Sequence, residues 1–192
     1  YLGDVKPCII CSGKNFVSWA KLEYLEAKKC KDCGMISVNP HLNDDGLSIF
    51  YKKYFSYRLD DKELFEKRKI TYIIDRDWIS QFINKGKVLD VGCSGGQFLN
   101  TFDSNRWERQ GVEIDANAAE FALKNYGIQV KVGYFPNILF EEKFDLVMLR
   151  GTIEHFSDPI SVLKKCGEVL KPNGLLFITA SPAGNSFAFH VY

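Results

Sequence analysis

The chain has 192 residues, of which 46% are hydrophobic, and its formal net charge is +1 at pH 7. This is enough for one mid-sized domain with its own core plus a small appendage. The near-neutral charge argues against a protein whose main partner is nucleic acid, because such proteins carry a basic excess. No apolar run approaches the roughly 18–20 residues that span a bilayer, and no signal-peptide pattern opens the chain. We therefore expect a cytoplasmic protein with no membrane partner, although the start at Tyr1 leaves an exported precursor as an alternative.

Two Cys-x-x-Cys pairs lie near the start of the chain, formed by Cys8, Cys11, Cys30 and Cys33. Two tight turns that each offer two thiolates supply the tetrahedral four-sulfur coordination that suits Zn2+. Gly34 follows the second pair, where a tight turn favours glycine. We predict a structural zinc site, which would fold a segment too small to hold a core alone. Two disulfides or a redox dithiol are the alternatives.

The next part of the chain is rich in aromatic and charged residues. Its second half has apolar residues at helical spacing, namely Leu64, Phe65, Ile70, Ile73, Ile74, Trp78, Ile79 and Phe82. This spacing predicts one or two amphipathic helices. The helical pattern stops at Asn84-Lys85-Gly86, where the glycine is expected as a C-cap.

The remainder of the chain alternates short apolar runs with helical patterns. Strands are predicted at KVLDV, WERQGVEI, IQVKVG, FDLVMLR and GLLFITA, and helices at GGQFLNTFDSN, ANAAEFALKNYG and DPISVLKKCGEVLKP. Glycine at Gly127 and proline at Pro172 are expected to end the last two helices. Strand–helix alternation at this spacing predicts right-handed crossovers and a mostly parallel sheet covered on both faces. The predicted fold class is therefore α/β.

A glycine-rich turn, Gly92-Cys93-Ser94-Gly95-Gly96, follows the first of these strands, and Asp90 precedes it. In an open parallel sheet, ligands bind beyond the carboxyl ends of the strands. Glycine lets the backbone turn sharply there and come close to a ligand. A dinucleotide site would show G-x-G-x-x-G, which this turn lacks. Glu113 ends the second strand, where a carboxylate can accept hydrogen bonds from both ribose hydroxyls.

The pattern Asp90-x-Gly92-x-x-x-Gly96 resembles the first motif of class I S-adenosylmethionine-dependent methyltransferases, D-x-G-x-G-x-G, and departs from it at Ser94. The resemblance continues through GVEIDANAAEFALKNYGIQVKVG, FDLVMLRGTIEHFSDP and LKPNGLLFITAS in the family's order. It implies a Rossmann-like doubly wound sheet that binds S-adenosylmethionine. The cofactor-binding residues it implies are Asp90, Gly92, Cys93, Ser94, Gly96, Glu113, Ile114, Arg150 and Tyr57. Cys93 is expected to contribute backbone or packing rather than a nucleophile.

The segment CKDCGMISVNPHLNDDGLSIFYKKYF resembles the N-terminal zinc-binding element of a bacterial methyltransferase group that includes deoxysugar C-methyltransferases. The resemblance implies a zinc ribbon held by the four cysteines. It also carries over Asn39, Pro40, Tyr51, Tyr54 and Tyr57. By resemblance this aromatic segment lies over the cofactor and substrate pocket, with Tyr54 among the catalytic residues. Packing of the tyrosines at a domain junction is the alternative.

Glu154 and His155 follow the fourth predicted strand, in the family's position facing the pocket. A methyl acceptor that must lose a proton calls for a base with a pKa near neutrality, which histidine fits best. His155 is therefore the candidate base or substrate-orienting residue, with Glu154 as its polar partner. Bracing of this loop, or capping of the helix that begins near Asp158, is the alternative. Arg150 replaces the small or apolar residue expected there, and it can pair with a substrate phosphate or carboxylate or form a surface ion pair.

These observations predict three parts: a zinc ribbon over residues 1–39, a helical, aromatic-rich linker or lid over 40–85, and a cofactor-binding core over 86–192 that is incomplete at its C-terminal end. The predicted function is methylation of a small molecule, a nucleotide-linked sugar or a surface-glycan precursor. An RNA methyltransferase and a non-catalytic cofactor-binding scaffold are the alternatives. Because the predicted core is incomplete at its C-terminal end, its sheet would have an open edge, which would also allow a homodimer.

Overall fold

The computed structural model describes residues 2–43, 46, 49 and 62–179. The described residues up to 49 belong to one compact unit, and residues 62–179 form a second. The tyrosines of the predicted aromatic segment, Tyr51, Tyr54 and Tyr57, lie outside the described residues. None of the helices in the described ranges has both the length and the apolar character needed to cross a membrane.

The N-terminal unit contains a three-stranded antiparallel sheet in the order β1-β2-β3. Its strands are β1 (Phe16–Leu22), β2 (Leu25–Cys30) and β3 (Ile36–Val38). After β3, the buried side chain of Asn39 exchanges two hydrogen bonds with the backbone of Lys6: its Nδ2 donates to the Lys6 carbonyl at 2.8 Å, and its Oδ1 accepts from the Lys6 N–H at 3.1 Å. This exchange fixes the chain that leads to the first cysteine pair, and the Asn39-Pro40 peptide bond that follows is cis.

The second unit begins with one helix, α1 (Lys62–Ile79). Periodicity predicted its existence, but the predicted C-cap is wrong, because Gly86 is the first residue of the next strand. There Gly86 has φ +133°, and a Cβ atom would lie 2.5 Å from the Asp145 carboxylate, so the position requires glycine for packing. Only part of the predicted apolar face packs on the core. Tyr72 and Ile79 are buried, whereas the side chains that are more than half exposed are Ile70, Ile74, Trp78 and Phe82.

A five-stranded parallel sheet forms the centre of this unit, with strand order β6-β5-β4-β7-β8. The strands are β4 (Gly86–Val91), β5 (Trp107–Glu113), β6 (Gln129–Val132), β7 (Phe144–Arg150) and β8 (Leu170–Thr179). The chain winds outward from β4 through β5 to β6, then returns to lay β7 on the other side of β4. The strand order therefore reverses between β4 and β7, next to the glycine-rich turn. All five strands were predicted, and the doubly wound α/β fold is confirmed.

Helices cover both faces of this sheet. Helices α1 and α2 (Ala116–Tyr126) pack on one face, and α3 (Pro159–Val169) packs on the other. Alternate residues of one strand point to opposite faces. Met148 of β7 therefore lies in the apolar cluster under α1 and α2, and its neighbour Val147 lies in the cluster under α3. Burial of apolar side chains on both faces is the reason the strands read as continuous apolar runs.

Both ends of α2 and the start of α3 follow local chemistry visible in the sequence. The predicted end of α3 at Pro172 is wrong, because the helix ends at Val169 and Pro172 lies within β8. Asp115 accepts a hydrogen bond from the Asn117 N–H at the start of α2, and Gly127 ends that helix in the left-handed region with φ +65°. Asp158 accepts from the Ser161 N–H at 3.1 Å, so it is an N-cap of α3.

The helix predicted over GGQFLNTFDSN is wrong. Its described residues form turns and a single short 3-10 helix, Leu99–Thr101. The segment begins with Gly95 and Gly96, which lose more backbone entropy in a helix than any other residue. Thr101 then donates its hydroxyl to the Phe98 carbonyl at 2.7 Å, competing with a regular helical ladder.

Candidate active site

Three charged residues lie at the carboxyl ends of three adjacent strands. Asp90 on β4 pairs in register with Gly111 of β5 and Met148 of β7. Glu113 and Arg150 lie two residues further along those neighbouring strands. The carboxyl edge of the sheet thus brings Asp90, Glu113 and Arg150 together, as expected where strand order reverses.

The glycine-rich turn has the backbone geometry that its sequence predicted. Gly92 has φ +74° and Gly96 has φ +77°, a region that other residues enter at a cost. A Cβ atom at Gly92 would overlap the side chain of Thr152, and one at Gly96 would lie 3.0 Å from Ala122. Ser94, which stands where the related motif has glycine, also has a positive φ of +49°. The departure at Ser94 therefore keeps the glycine-like backbone.

Glu113 binds the turn through its carboxylate. The side chain is 4% exposed and accepts backbone N–H groups of Ser94 at 2.9 Å, Ile114 at 2.7 Å and Asp115 at 3.2 Å. Burial raises its pKa, while these N–H groups act in the opposite direction. A carboxylate offers about four lone-pair sites, so this one has room for about one more donor. The predicted bond to both ribose hydroxyls would require one of the backbone contacts to give way.

Asp90 is the most deeply buried acid at this edge, with 3% of its surface exposed. Burial raises the pKa of its carboxyl from 3.8 to about 7, against the lowering effect of Arg150 and with the help of the Glu113 charge. Burial likewise raises the pKa of the adjacent Cys93 thiol well above its ordinary value. A Cβ atom at Gly111 would overlap the Cys93 sulfur. Cys93 therefore packs into the space that Gly111 leaves and is not an activated nucleophile.

Arg150 turns toward helix α1. Its Nε donates to Asp75 Oδ2 at 2.7 Å, and its Nη2 donates to the Thr71 hydroxyl at 3.1 Å. The guanidinium lies 4.6 Å from the ring centroid of Tyr72 and 5.3 Å from that of Phe98. Arg150 was predicted to contact the cofactor, to pair with a substrate anion or to form an ion pair. Its described contacts are those of an ion pair.

Glu154 and His155 lie in a short 3-10 helix, Ile153–His155, just after β7, and both are exposed. This turn is next to the glycine-rich turn, because the side chain of Thr152, the residue before the 3-10 helix, packs against Gly92. Ile114 is also exposed, at 52%, beside the buried Glu113. The structure thus places these predicted residues around the same edge of the sheet as Asp90.

The four cysteines of the N-terminal unit form one cluster, with all four sulfurs within 4.8 Å of one another. The Cys8 and Cys33 sulfurs are 3.5 Å apart, and those of Cys11 and Cys30 are 3.6 Å apart. Tetrahedral Zn2+ with sulfur at about 2.3 Å requires sulfur separations of about 3.8 Å, so the cluster fits zinc. All four thiols are free, and Gly34 has φ +79° beside the second pair, as the tight-turn prediction requires.

Sequence patterns did not indicate two residues near the carboxyl edge of the parallel sheet. Asp75 is one acid among many charged residues on α1, and nothing in the sequence relates it to Arg150 on a distant strand. Gln97 follows the glycine-rich turn, and its buried Nε2 has no hydrogen-bond partner among the residues that the structure describes. An unpaired buried donor is visible only once the structure shows what surrounds it.

Comparison with known proteins identifies relatives of this chain. A family model described as "Methyltransferase domain" matches residues 61–186. A ubiquinone biosynthesis O-methyltransferase of Histophilus somni (strain 2336) is 32% identical over 108 residues, which are 50% of this chain and 45% of that protein. Another of the same name, from Pseudomonas fluorescens (strain SBW25), is 32% identical over 124 residues, covering 58% of this chain and 53% of that protein. The chain spans about half the length of these curated relatives.

Solved structures share the fold. A SAM-dependent methyltransferase of Thermotoga maritima, described as a possible histamine N-methyltransferase, aligns with a TM-score of 0.55 and 23% identity over 65% of this chain and 58% of that one. The plantazolicin methyltransferase BpumL, in complex with a substrate analogue and SAH, aligns with a TM-score of 0.57 and 20% identity over 68% of this chain and 53% of that one. These likenesses confirm the Rossmann-like fold. The predicted resemblance to deoxysugar C-methyltransferases gains no support from these curated relatives, which carry a different name.

Proposed function

Because the chain belongs to the methyltransferase domain family and has the Rossmann-like fold of its S-adenosylmethionine-dependent members, we propose that it binds S-adenosylmethionine at the carboxyl edge of its sheet and transfers the methyl group to a small molecule. One observation carries the proposal. The glycine-rich turn with positive φ at Gly92 and Gly96 lies between two buried carboxylates, Asp90 and Glu113.

The charge of this edge suits S-adenosylmethionine. A sulfonium group and an ammonium group give that cofactor cationic centres, whereas a dinucleotide presents an anionic pyrophosphate. Asp90 and Glu113 are both less than 5% exposed, and the nearby Arg150 is engaged by Asp75. The buried Asp90 beside the turn favours a cation over a pyrophosphate, which supports S-adenosylmethionine over a nicotinamide dinucleotide, whereas Glu113 suits the ribose of either cofactor.

We assign the cofactor contacts by position. Gly92, Ser94 and Gly96 let the backbone approach the ligand, with Cys93 packed beneath them. Glu113 has room for about one ribose hydroxyl beside its three backbone contacts. The exposed Ile114 offers apolar surface for the adenine. Tyr57 remains a cofactor-contact prediction outside the described residues.

The chemistry calls for orientation and for removal of one proton. When bound, the cofactor supplies an activated methyl group, whose transfer releases a neutral thioether and the acceptor's proton. We propose that His155 accepts that proton and that Glu154 orients the imidazole or the substrate. General-base assistance of this kind contributes roughly 10²- to 10⁴-fold to rates. Tyr54, also outside the described residues, remains a catalytic candidate by resemblance.

For the acceptor we propose a small molecule carrying a hydroxyl group. The curated relatives are named ubiquinone biosynthesis O-methyltransferases, which supports oxygen as the methyl acceptor. A nucleotide-linked sugar or surface-glycan precursor rests on the N-terminal resemblance alone. An RNA substrate is disfavoured by the net charge of +1.

We also propose that the four-cysteine cluster holds a structural zinc ion. We further propose that the cofactor-binding core begins near Lys62 rather than at Gly86. Helix α1 supports this boundary, because its Tyr72 and Ile79 lie in the apolar cluster of the sheet. A homodimer remains a prediction.

The function is tested by incubating the full chain with methyl-labelled S-adenosylmethionine and fractionated small molecules, including phenols and nucleotide sugars. We expect label in a hydroxyl-bearing fraction, and His155→Asn should lower the rate by about 10²-fold or more while leaving cofactor affinity within about twofold. A matched control is His41→Asn, since His41 belongs to the other unit. Transfer to RNA alone, or a His155→Asn variant of unchanged rate, would contradict the assignment.

A further inference from the structure

The side-chain amide of Gln97 has a donor, Nε2, with no acceptor in the described part of the chain. Among the described residues, its Nε2 is the one buried side-chain nitrogen or oxygen without a hydrogen-bond partner. Burying an unpaired amide costs free energy, and native proteins accept that cost chiefly where a ligand or water supplies the missing acceptor. The residue as a whole is partly exposed, although its Nε2 is buried.

The position of Gln97 relates it to one end of the cofactor cleft. It directly follows Gly96, the last glycine of the turn, and precedes Phe98. The Phe98 ring lies 5.3 Å from the Arg150 guanidinium at the end of β7. The residue that follows Gln97 thus lies at the β7 side of the turn, which is the opposite side of β4 from Glu113.

The proposed function fixes which part of the cofactor lies there. With the ribose at Glu113 on the β5 side, the amino-acid part of a bound cofactor would lie across the glycine-rich turn, toward β7. That part ends in a carboxylate, which needs hydrogen-bond donors. Arg150 already donates to Asp75 and Thr71. Gln97 Nε2 makes no described hydrogen bond that ligand binding would break.

We propose that Gln97 is a further cofactor-binding residue, whose amide Nε2 donates a hydrogen bond to the carboxylate of the amino-acid part of S-adenosylmethionine. The assignment rests on the proposed function and adds a contact that the methyltransferase motif does not contain. It also explains why a polar side chain stands between the buried Gly96 and Phe98.

The test compares two ligands that differ in this carboxylate. S-adenosylhomocysteine has the whole amino-acid part, and 5′-methylthioadenosine lacks it. Calorimetric titration of the full chain measures both affinities for the wild type, Gln97→Met and Gln97→Glu. Gln110→Met is the matched control, because Gln110 is a partly buried glutamine on β5 that lines a groove elsewhere.

Gln97→Met should weaken S-adenosylhomocysteine about tenfold, which is the size expected for a hydrogen bond to a charged group. Affinity for 5′-methylthioadenosine should stay within about twofold, and the ligand-free melting temperature should stay equal or rise, because no hydrogen bond is lost. Gln97→Glu should weaken S-adenosylhomocysteine further by charge repulsion.

Equal losses for both ligands, an unchanged affinity for S-adenosylhomocysteine, or a loss of the same size in Gln110→Met would overturn the assignment. A wild-type chain that binds neither ligand would contradict the proposed function as well, which separates that failure from the failure of Gln97 alone.

Discussion

Asp75 on helix α1 and Arg150 at the end of β7 form an ion pair with a distance of 2.7 Å between Oδ2 and Nε, and both side chains are 24% exposed. The pair joins a helix to the functional edge of the sheet. Arg150 also lies against the rings of Tyr72 and Phe98, so a single side chain at the end of β7 contacts both α1 and the segment after the glycine-rich turn.

Removal of this pair should be costly. Asp75→Asn leaves the partly buried guanidinium without its carboxylate, and we expect the free energy of unfolding to fall by about 1–3 kcal/mol. Urea unfolding at pH 7 measures the loss. The control is Asp77→Asn, which removes a more exposed pair with Arg76 on the same helix and should cost less than about 1 kcal/mol. Equal losses in the two variants would show that the pair with Arg150 stabilises the fold no more than the exposed pair does.

Asp90 should make stability depend on pH in a defined direction. Its pKa is about 7 in the folded chain against 3.8 as the ordinary value, so the folded state holds the proton more tightly. The protonated carboxyl imposes no charge burial below pH 4. The free energy of unfolding therefore falls as pH rises from about 4 to 7, and the loss is complete above pH 7. Asp90→Asn should therefore stabilise the ligand-free chain more at pH 8 than at pH 5.

Urea unfolding at those two pH values measures this difference, and the same variant should bind S-adenosylmethionine more weakly because a carboxylate facing the cation is gone. A variant whose stability relative to wild type is the same at pH 5 and pH 8 would refute the buried, proton-holding state of Asp90.

Ser94 should be slightly strained. A left-handed backbone costs a non-glycine residue about 1–2 kcal/mol. Substitution by glycine removes this strain but costs about 0.5–1 kcal/mol, because glycine has a greater unfolded-state entropy. Ser94→Gly should thus stabilise the chain by about 0.5–1 kcal/mol, as measured by urea unfolding. Ser94→Ala keeps the strain and should give no gain. Both variants retain the N–H that donates to Glu113.

Zinc content should depend on the cluster cysteines alone. Protein purified without chelators should carry about one zinc per chain, measured by atomic emission. Cys30→Ser should lower this content, whereas Cys166→Ser should leave it unchanged, because Cys166 is equally buried but lies in the apolar cluster of α3. Metal-free wild-type protein, or the same zinc content in both variants, would contradict the zinc assignment.

Local patterns in the sequence predicted the sheet well. Apolar runs identified all five strands, since strands buried on both faces must be apolar throughout. The caps at Asp158 and Gly127 were also visible, because capping depends on one residue and its immediate neighbours.

Features that depend on distant contacts were not predicted. Periodicity identified helix α1 but not which of its apolar residues the core covers, so Ile70 and Ile74 remain exposed. The pairing of Asp75 with Arg150 joins residues that only the fold brings together. The hydrogen bonds of Glu113 to the glycine-rich turn and the unpaired nitrogen of Gln97 likewise depend on three-dimensional packing.

The central claim is that the carboxyl edge of the sheet binds S-adenosylmethionine. Calorimetric titration of the full chain with S-adenosylmethionine, S-adenosylhomocysteine and NAD tests it most directly. We predict saturable binding of both sulfur compounds with one site per chain and no detectable binding of NAD. Binding of NAD without binding of either sulfur compound would contradict the account.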